Sequence, residues 1–393
     1  MAGFPNPAIF FYLHKKIPNQ SVLMKNTLLL SFFCLIFTPM FAQKSQPSNY
    51  YLLIGTYTAK TSEGIYVYKF NTQTGNLDSV GVAKGIKNPS FLAISPNQKF
   101  VYSVSETGAG AVNAFSFDKK TGKLTALNAQ PSGGADPCYV AVDKTGHWAL
   151  VGNYSGGNLS ILPIEANGLL GKPTQTIQHE GKGPKPQQEK AHVHSVNIAP
   201  NNEDVFVADL GLDKIVSYHL EAKTGKLSAG NPESVSVSAG SGPRHFAFGL
   251  NPKFAYVIQE LTGEITAFNY KKGSLEAFQT VKTLPEDFKE NNSCADIHIS
   301  PDGKFLYGSN RGHESLVIFS IDPQTGKLTY VGHQNVMGKT PRNFAIDPTG
   351  NFILVANQNT DNITVFKRNK TTGKLTFTGK EIKISMPVCL KFL

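Results

Sequence analysis

Thr121-Gly122-Lys123-Leu124 decides the fold, because the same four residues return as Thr224-Gly225-Lys226-Leu227, Thr325-Gly326-Lys327-Leu328 and Thr372-Gly373-Lys374-Leu375. Thr74-Gly75-Asn76-Leu77 is a close variant, and Asn167-Gly168-Leu169-Leu170 and Lys272-Gly273-Ser274-Leu275 fill the remaining gaps. The seven copies lie roughly fifty residues apart, the period of a four-stranded propeller blade. Each follows a short strand such as Val112-Asn113-Ala114-Phe115 or Val317-Ile318-Phe319. Glycine supplies the positive φ that a tight hairpin demands, so the motif is first a turn.

A second landmark recurs in each repeat: an apolar strand ending in a polar group beside a loop. Val151-Gly152-Asn153-Tyr154, Val207-Ala208-Asp209-Leu210 and Val355-Ala356-Asn357-Gln358 are examples. A further strand precedes most of these, as in Val193-His194-Ser195-Val196 and Pro243-Arg244-His245-Phe246. The first repeat, opening near Tyr50, lacks that strand, and Pro387-Val388-Cys389-Leu390 supplies it from the other end. The expected fold is an all-β, seven-bladed β-propeller over 43–393, closed by N- and C-terminal strands in one blade. Closure of this kind removes open sheet edges.

Residues 1–42 stand apart as an N-terminal extension and cleavable signal peptide. Met24-Lys25-Asn26 opens a positive region, an apolar run follows from Leu28 to Phe37, and Phe41-Ala42-Gln43 suits cleavage. The run is too short and too early for a membrane anchor. Cys34 lies within it without the preceding small residue of a lipoprotein signal. The expected product is a periplasmic or secreted protein, a monomer or weak oligomer. Loss of Lys15, Lys16 and Lys25 takes the formal charge from +10 to about +7. That excess is scattered over turns without a basic run or an aromatic-basic stripe, so a nucleic-acid partner is not expected. Cys138, Cys294 and Cys389 form no CxxC pair, and are expected as buried free thiols.

Propeller geometry gathers chemistry at the channel, where strand-end residues of every blade converge. The strand-start position carries Ser90, Cys138, His194, Arg244, Ala295, Arg342 and Val388. The strand-end position is aligned here as Thr56, Glu106, Asn153, Asp209, Glu260, Asn310 and Asn357. Buried Asp, Glu and Arg demand pairing, so inter-blade ion pairs and turn caps are one account of these residues. Ion pairing alone does not call for an imidazole, and His194, Arg244 and Glu260 together point to a site. Residues 171–191 form the largest insertion, read as a lid with Lys182 and Lys185, and lead into His192-Val193-His194. The two histidines face one way, but no third ligand at useful spacing joins them; neither a metal nor a cofactor is expected.

Five motifs together carry a family resemblance: Gln178-His179-Glu180-Gly181-x-Gly183-Pro184, His192-x-His194-Ser195-Val196, Val207-Ala208-Asp209-Leu210-Gly211, Gly242-Pro243-Arg244-His245 and Ser309-Asn310-Arg311-Gly312. They resemble the lactonase propeller family, which includes propeller-type 6-phosphogluconolactonase and 3-carboxymuconate lactonizing enzymes, over essentially the whole chain from Tyr50. The resemblance implies a hydrolase of carbohydrate metabolism, a lactonase opening a sugar-acid lactone, with a small-molecule lactone as its partner. It carries the catalytic His, Arg and Glu onto His194, Arg244 and Glu260, and a further Arg onto Arg311 or Arg342. His194 or Glu260 is expected as base, and Arg244 and Arg342 as oxyanion donors. Arg342, Arg311, His192, Asp209, Asn153 and Lys182 are expected to bind substrate. Gln187 and Ala191 depart from the family pattern at the lid. The alternatives are a muconate-type lactonizing isomerase, separated by a muconate assay, and a non-catalytic exported binding propeller, separated by turnover of any δ-lactone.

Overall fold

The computed structural model describes residues 48–393; the leader expected over 1–42 lies outside them. Seven four-stranded antiparallel sheets follow one another along the chain. Their innermost strands are Leu92–Ile94, Pro137–Val142, Val193–Ile198, Pro243–Phe248, Ser293–Ile299, Pro341–Ile346 and, from the far end of the chain, Pro387–Phe392. Each innermost strand touches the next around the ring. Pro387–Phe392 pairs antiparallel with Asn49–Thr56, so one blade is built from both ends of the propeller.

Burial follows strand position. The second strand of a blade is covered on both faces by neighbouring blades, and Phe254–Gln259 and Phe352–Asn357 are buried throughout. They read as apolar runs up to their polar last residues for that reason. The outermost strands, such as Leu77–Lys84, are mostly exposed. The hydrophobic core is accordingly divided into clusters between blades, for example Tyr256, Ile258, Leu306 and Phe319.

The seven glycine turns fasten these interfaces. All seven repeat glycines have positive φ, between 69° and 88°. At Gly326 (φ 69°) a Cβ would lie 2.5 Å from the ring of Phe254, which opens the second strand of the preceding blade. Tyr256 of the same strand is fully buried and donates its hydroxyl to Gly326 O at 2.8 Å; the pair Tyr307 and Gly373 repeats this contact at 2.7 Å. Gly326→Ala is therefore expected to cost about 2 kcal/mol or more in urea unfolding, from a left-handed backbone and a displaced ring together. Unchanged stability would show that the turn is not docked. Cys138, Cys294 and Cys389 are free and buried, each on an innermost strand.

Candidate active site

A β-bulge opens the innermost strand of nearly every blade. Val193 and Ser195 face Asp209 and Ala208, leaving His194 unpaired between them. Arg244 is left over between Pro243 and His245, and Arg342 between Pro341 and Asn343. Cys138 and Val388 occupy the same place in their blades. A bulge carries one extra residue and re-aims its side chain, and here it turns these residues toward one mouth of the channel.

The second ring of residues differs from the sequence alignment by one position in two blades. Pro137, Val193, Pro341 and Cys294 pair with Asn153, Asp209, Asn357 and Asn310, but Pro243 pairs with Gln259, not with Glu260. Backbone hydrogen bonds fix the next position. Tyr57, Glu106, Tyr154, Leu210, Glu260 and Gln358 donate their N–H groups to equivalent carbonyls, those of Met386, Asn88, Asp136, His192, Gly242 and Thr340. Arg311, paired with Ser293, completes this ring. Glu106 and Glu260 thus share a position with Tyr57, Tyr154 and Arg311.

The two positions do different work. The last strand residue is buried and laces turns together. Asn153 donates to Ser132 O and to Asn158, and Asn357 to Val336 O and Thr364. Asp209, fully buried, accepts from the backbone of His192, Gly211 and Leu212 and pairs with His179 at 2.7 Å. Asn153 and Asp209, expected to bind substrate, are held in these networks and are not brought into the cluster. Of the residues one further along, Tyr57, Glu106, Tyr154, Glu260 and Arg311 meet the bulge residues or one another, whereas Leu210 is fully buried.

There, Glu260 joins three of the expected residues. Its Oε2 lies 2.8 Å from Arg244 Nε, 3.1 Å from Arg311 Nη2 and 4.0 Å from His194 Nε2. Arg244 Nε is not aligned for a hydrogen bond, so its contact with Glu260 is one of charge. Burial opposes ionisation of Glu260, but the guanidiniums of Arg311, Arg244 and Arg342 prevail and hold its carboxyl below the usual range. Burial, then the charge of Arg311, draws Arg244 down to about 10. Burial, then Arg244, His245 and Arg342, keep His194 well below its ordinary value and hence neutral.

The chain contains four arginines in all: Arg244, Arg311, Arg342 and Arg368. Three stand at this mouth, where a planar, permanently charged fork differs most from lysine. Arg244 also donates to Ala295 O, and Arg311 to Ser293 O (3.2 Å) and Cys294 O (2.9 Å), so both are occupied. Arg342 makes no hydrogen bond among the described residues. It lies 5.3 Å over the ring of Tyr57, whose hydroxyl donates to Glu106 Oε1 at 2.8 Å, while Ser90 donates to Oε2. Burial works against the Arg342 charge, but Tyr57, Glu106 and Glu260 outweigh it and raise its pKa.

Aromatic side chains floor and wall the cup. His194 meets His245 edge-on at 5.4 Å, and His245 meets both Phe91 and Tyr139, themselves stacked at 4.2 Å. His245 pairs with Asp296 at 2.7 Å, and burial followed by the charge of Arg244 lowers it to about 4. Tyr154 stacks on His192 at 4.4 Å and touches His194 edge-on. His192 is itself tied to Tyr154 O and Glu189. Tyr57, Glu106 and Tyr154 were not among the expected site residues. Their common place one residue beyond each polar strand end was the available signal.

The 171–191 segment, expected as a lid, is not one free loop. Gln175–Gln178 is the outermost strand of its blade. The remainder is clamped down: His179 bridges Asp209 and Tyr218, and Gln188 donates to Leu210 O and Asp213 at 2.8 and 2.7 Å. Lys182 is exposed on this segment and is not among the residues lining the cleft beside Glu260, where Lys185 and Gln187 stand instead. A larger crevice, about 750 Å³, lies between Lys253, Tyr270 and Gln324, away from all of these groups.

The model of the family described as "Lactonase, 7-bladed beta-propeller" matches residues 51–392. A 6-phosphogluconolactonase of Bacillus subtilis (strain 168) is 38% identical over 349 residues, covering 88% of this chain and 99% of that protein. A 6-phosphogluconolactonase of Formosa agariphila is 39% identical over 303 residues, 75% of this chain and 86% of that protein. The structure of the periplasmic gluconolactonase PpgL of Pseudomonas aeruginosa superimposes with a TM-score of 0.85 at 35% identity, covering 88% of this chain and 99% of that one.

Proposed function

The chain belongs to the seven-bladed β-propeller lactonase family, and on that premise we propose that its channel mouth hydrolyses the ring ester of a sugar-acid lactone. One observation carries the reading: the guanidinium of Arg342, which makes no hydrogen bond among the described residues, shares a mouth with the imidazole of His194 and the carboxylate of Glu260, 4.0 Å apart. Water attack on a lactone carbonyl needs a proton acceptor and a fixed positive charge where the oxyanion develops. His194 takes the water proton, and Glu260, 4.0 Å away, stabilises the imidazolium that forms. Arg342 receives the oxyanion. Collapse of the tetrahedral centre breaks the ring C–O bond, and the imidazolium returns its proton to the departing alkoxide. Arg244 and Arg311 hold Glu260 in place throughout.

Of the pair expected by sequence, we assign the oxyanion role to Arg342 alone, since Arg244 is already occupied by Glu260 and Ala295. An exported protein over 43–393 fits this reading, as does the likeness to a periplasmic gluconolactonase, and both favour an unphosphorylated aldonolactone. Among the described residues no helix is long and apolar enough to cross a membrane.

The base is active when neutral, and burial with the nearby charge of Arg244 keeps His194 neutral well below the ordinary histidine value of about 6.5. The acidic limb of kcat/KM is therefore expected well below pH 6.5, with no loss as pH falls from 7 through 6, and His194→Ala should abolish that limb. A wild-type limb centred near 6.5 would contradict the buried-base assignment. Acid release from δ-lactones, without consumption of 3-carboxymuconate, distinguishes hydrolysis from ring closure.

A further inference from the structure

A cleft of about 540 Å³ runs outward from the cluster with Glu260 and Arg311 in its floor. Lys185 and Gln187 form one wall and Asn291 and Asn292 the other. Both walls are fixed. Gln188, beside Gln187, is fully buried and bonded to Leu210 O and Asp213, whose carboxylate also accepts from Gly240 and Gly242. Across the cleft, Asn291 packs directly on Gly312: a Cβ there would lie 2.2 Å from Asn291 O. Asn292 accepts from the His313 backbone at 3.2 Å. A cleft with fixed walls orders little on binding.

Its chemistry is that of neutral amides. The side chains of Gln187 and Asn291 make no hydrogen bond among the described residues and are exposed. Each offers a carbonyl acceptor and two N–H donors. The Arg311 guanidinium is taken by Glu260 and two carbonyls. Lys185 is the remaining cation, an exposed side chain whose stem lies along Gly240. An anionic group seated here would lie against the Glu260 carboxylate with a single exposed lysine as counter-charge. Hydroxyl groups, each both donor and acceptor, match the amides without that penalty. The volume falls in the range of small-molecule sites, roughly 300–1,000 Å³, and Arg342 is not among the residues that line it.

We infer that this cleft is the subsite for an uncharged, hydroxyl-bearing substituent of the lactone, of a size up to a further sugar unit, and that Gln187 and Asn291 read its hydroxyls. The inference rests on the lactonase reading and adds the class of substrate. Its test is steady-state kinetics of the mature chain on δ-valerolactone (a bare ring), cellobiono-1,5-lactone (a ring bearing a glucosyl group) and 6-phosphoglucono-1,5-lactone. Wild type should favour the glucosyl-bearing lactone in kcat/KM. The double variant Gln187→Leu/Asn291→Leu should raise KM for that lactone about 10-fold or more, leaving its kcat and all constants for δ-valerolactone unchanged. Equal effects on both lactones, or none on either, would overturn the subsite while leaving the lactonase reading standing. A preference for the phosphorylated lactone that Lys185→Ala removes would overturn it in favour of an anion site. Turnover of no lactone at all would remove the lactonase reading and the subsite with it.

Discussion

Deletion of residues 386–393 is expected to abolish folding. The segment supplies the innermost strand of the closing blade, in register with Leu52 to Thr56. Val388, Cys389 and Leu390 are at most 3% exposed, and Cys389 belongs to the cluster holding Leu53, Leu92 and Val104. Loss of two or three buried apolar side chains at roughly 1.5–3 kcal/mol each approaches the whole stability of a typical domain, about 5–15 kcal/mol. Removal also unpairs the edge of Asn49–Thr56 and opens the ring between two blades, which invites aggregation. Circular dichroism and size exclusion should show no cooperatively unfolding monomer. A soluble truncated chain with a wild-type melting transition would contradict closure through this strand.

Arg342→Ala is expected to lower kcat on the order of 10²–10³-fold with little change in KM, because it removes an oxyanion donor needed chiefly in the transition state. The fold should survive, since Arg342 makes no hydrogen bond among the described residues and stands at a bulge that pairs with no partner residue. Arg342→Lys should recover little, as an ammonium lacks the fixed planar fork. Arg244→Ala should behave differently: it leaves Glu260 and Arg311 to rearrange, with losses in stability as well as turnover. Equal stability losses and intact turnover in both variants would mark the cluster as a structural ion-pair network.

The seven blades and their closure were legible because they rest on periodicity: glycines at one φ and apolar second strands buried on both faces leave a strong repeating trace. His194, Arg244 and Arg342 were legible for the same reason, as polar residues at a strand-start position where other blades place Cys138, Ala295 and Val388. The second ring was harder. Two adjacent positions are polar in each of these blades, Ser105 with Glu106 and Gln259 with Glu260, and either member can be aligned with Asn153 and Asp209. Only backbone pairing separates the residue that laces turns from the one that faces the mouth. Tyr57 was missed because an aromatic beside a strand reads as core. Gln175–Gln178, an exposed strand of polar character, was hidden inside the presumed lid. Spatial contacts such as Tyr57 with Arg342, 285 positions apart, leave no local mark in the sequence.

The most direct test of the channel mouth as a lactone hydrolase is proton release from glucono-1,5-lactone in a pH-stat at pH 6.5, comparing purified 43–393 with its His194→Ala and Arg342→Ala forms. The predicted result is saturable acid release by the wild type, and release by both folded variants reduced on the order of 10²-fold or more. Wild-type release no faster than spontaneous hydrolysis, or undiminished release by both variants, would contradict it.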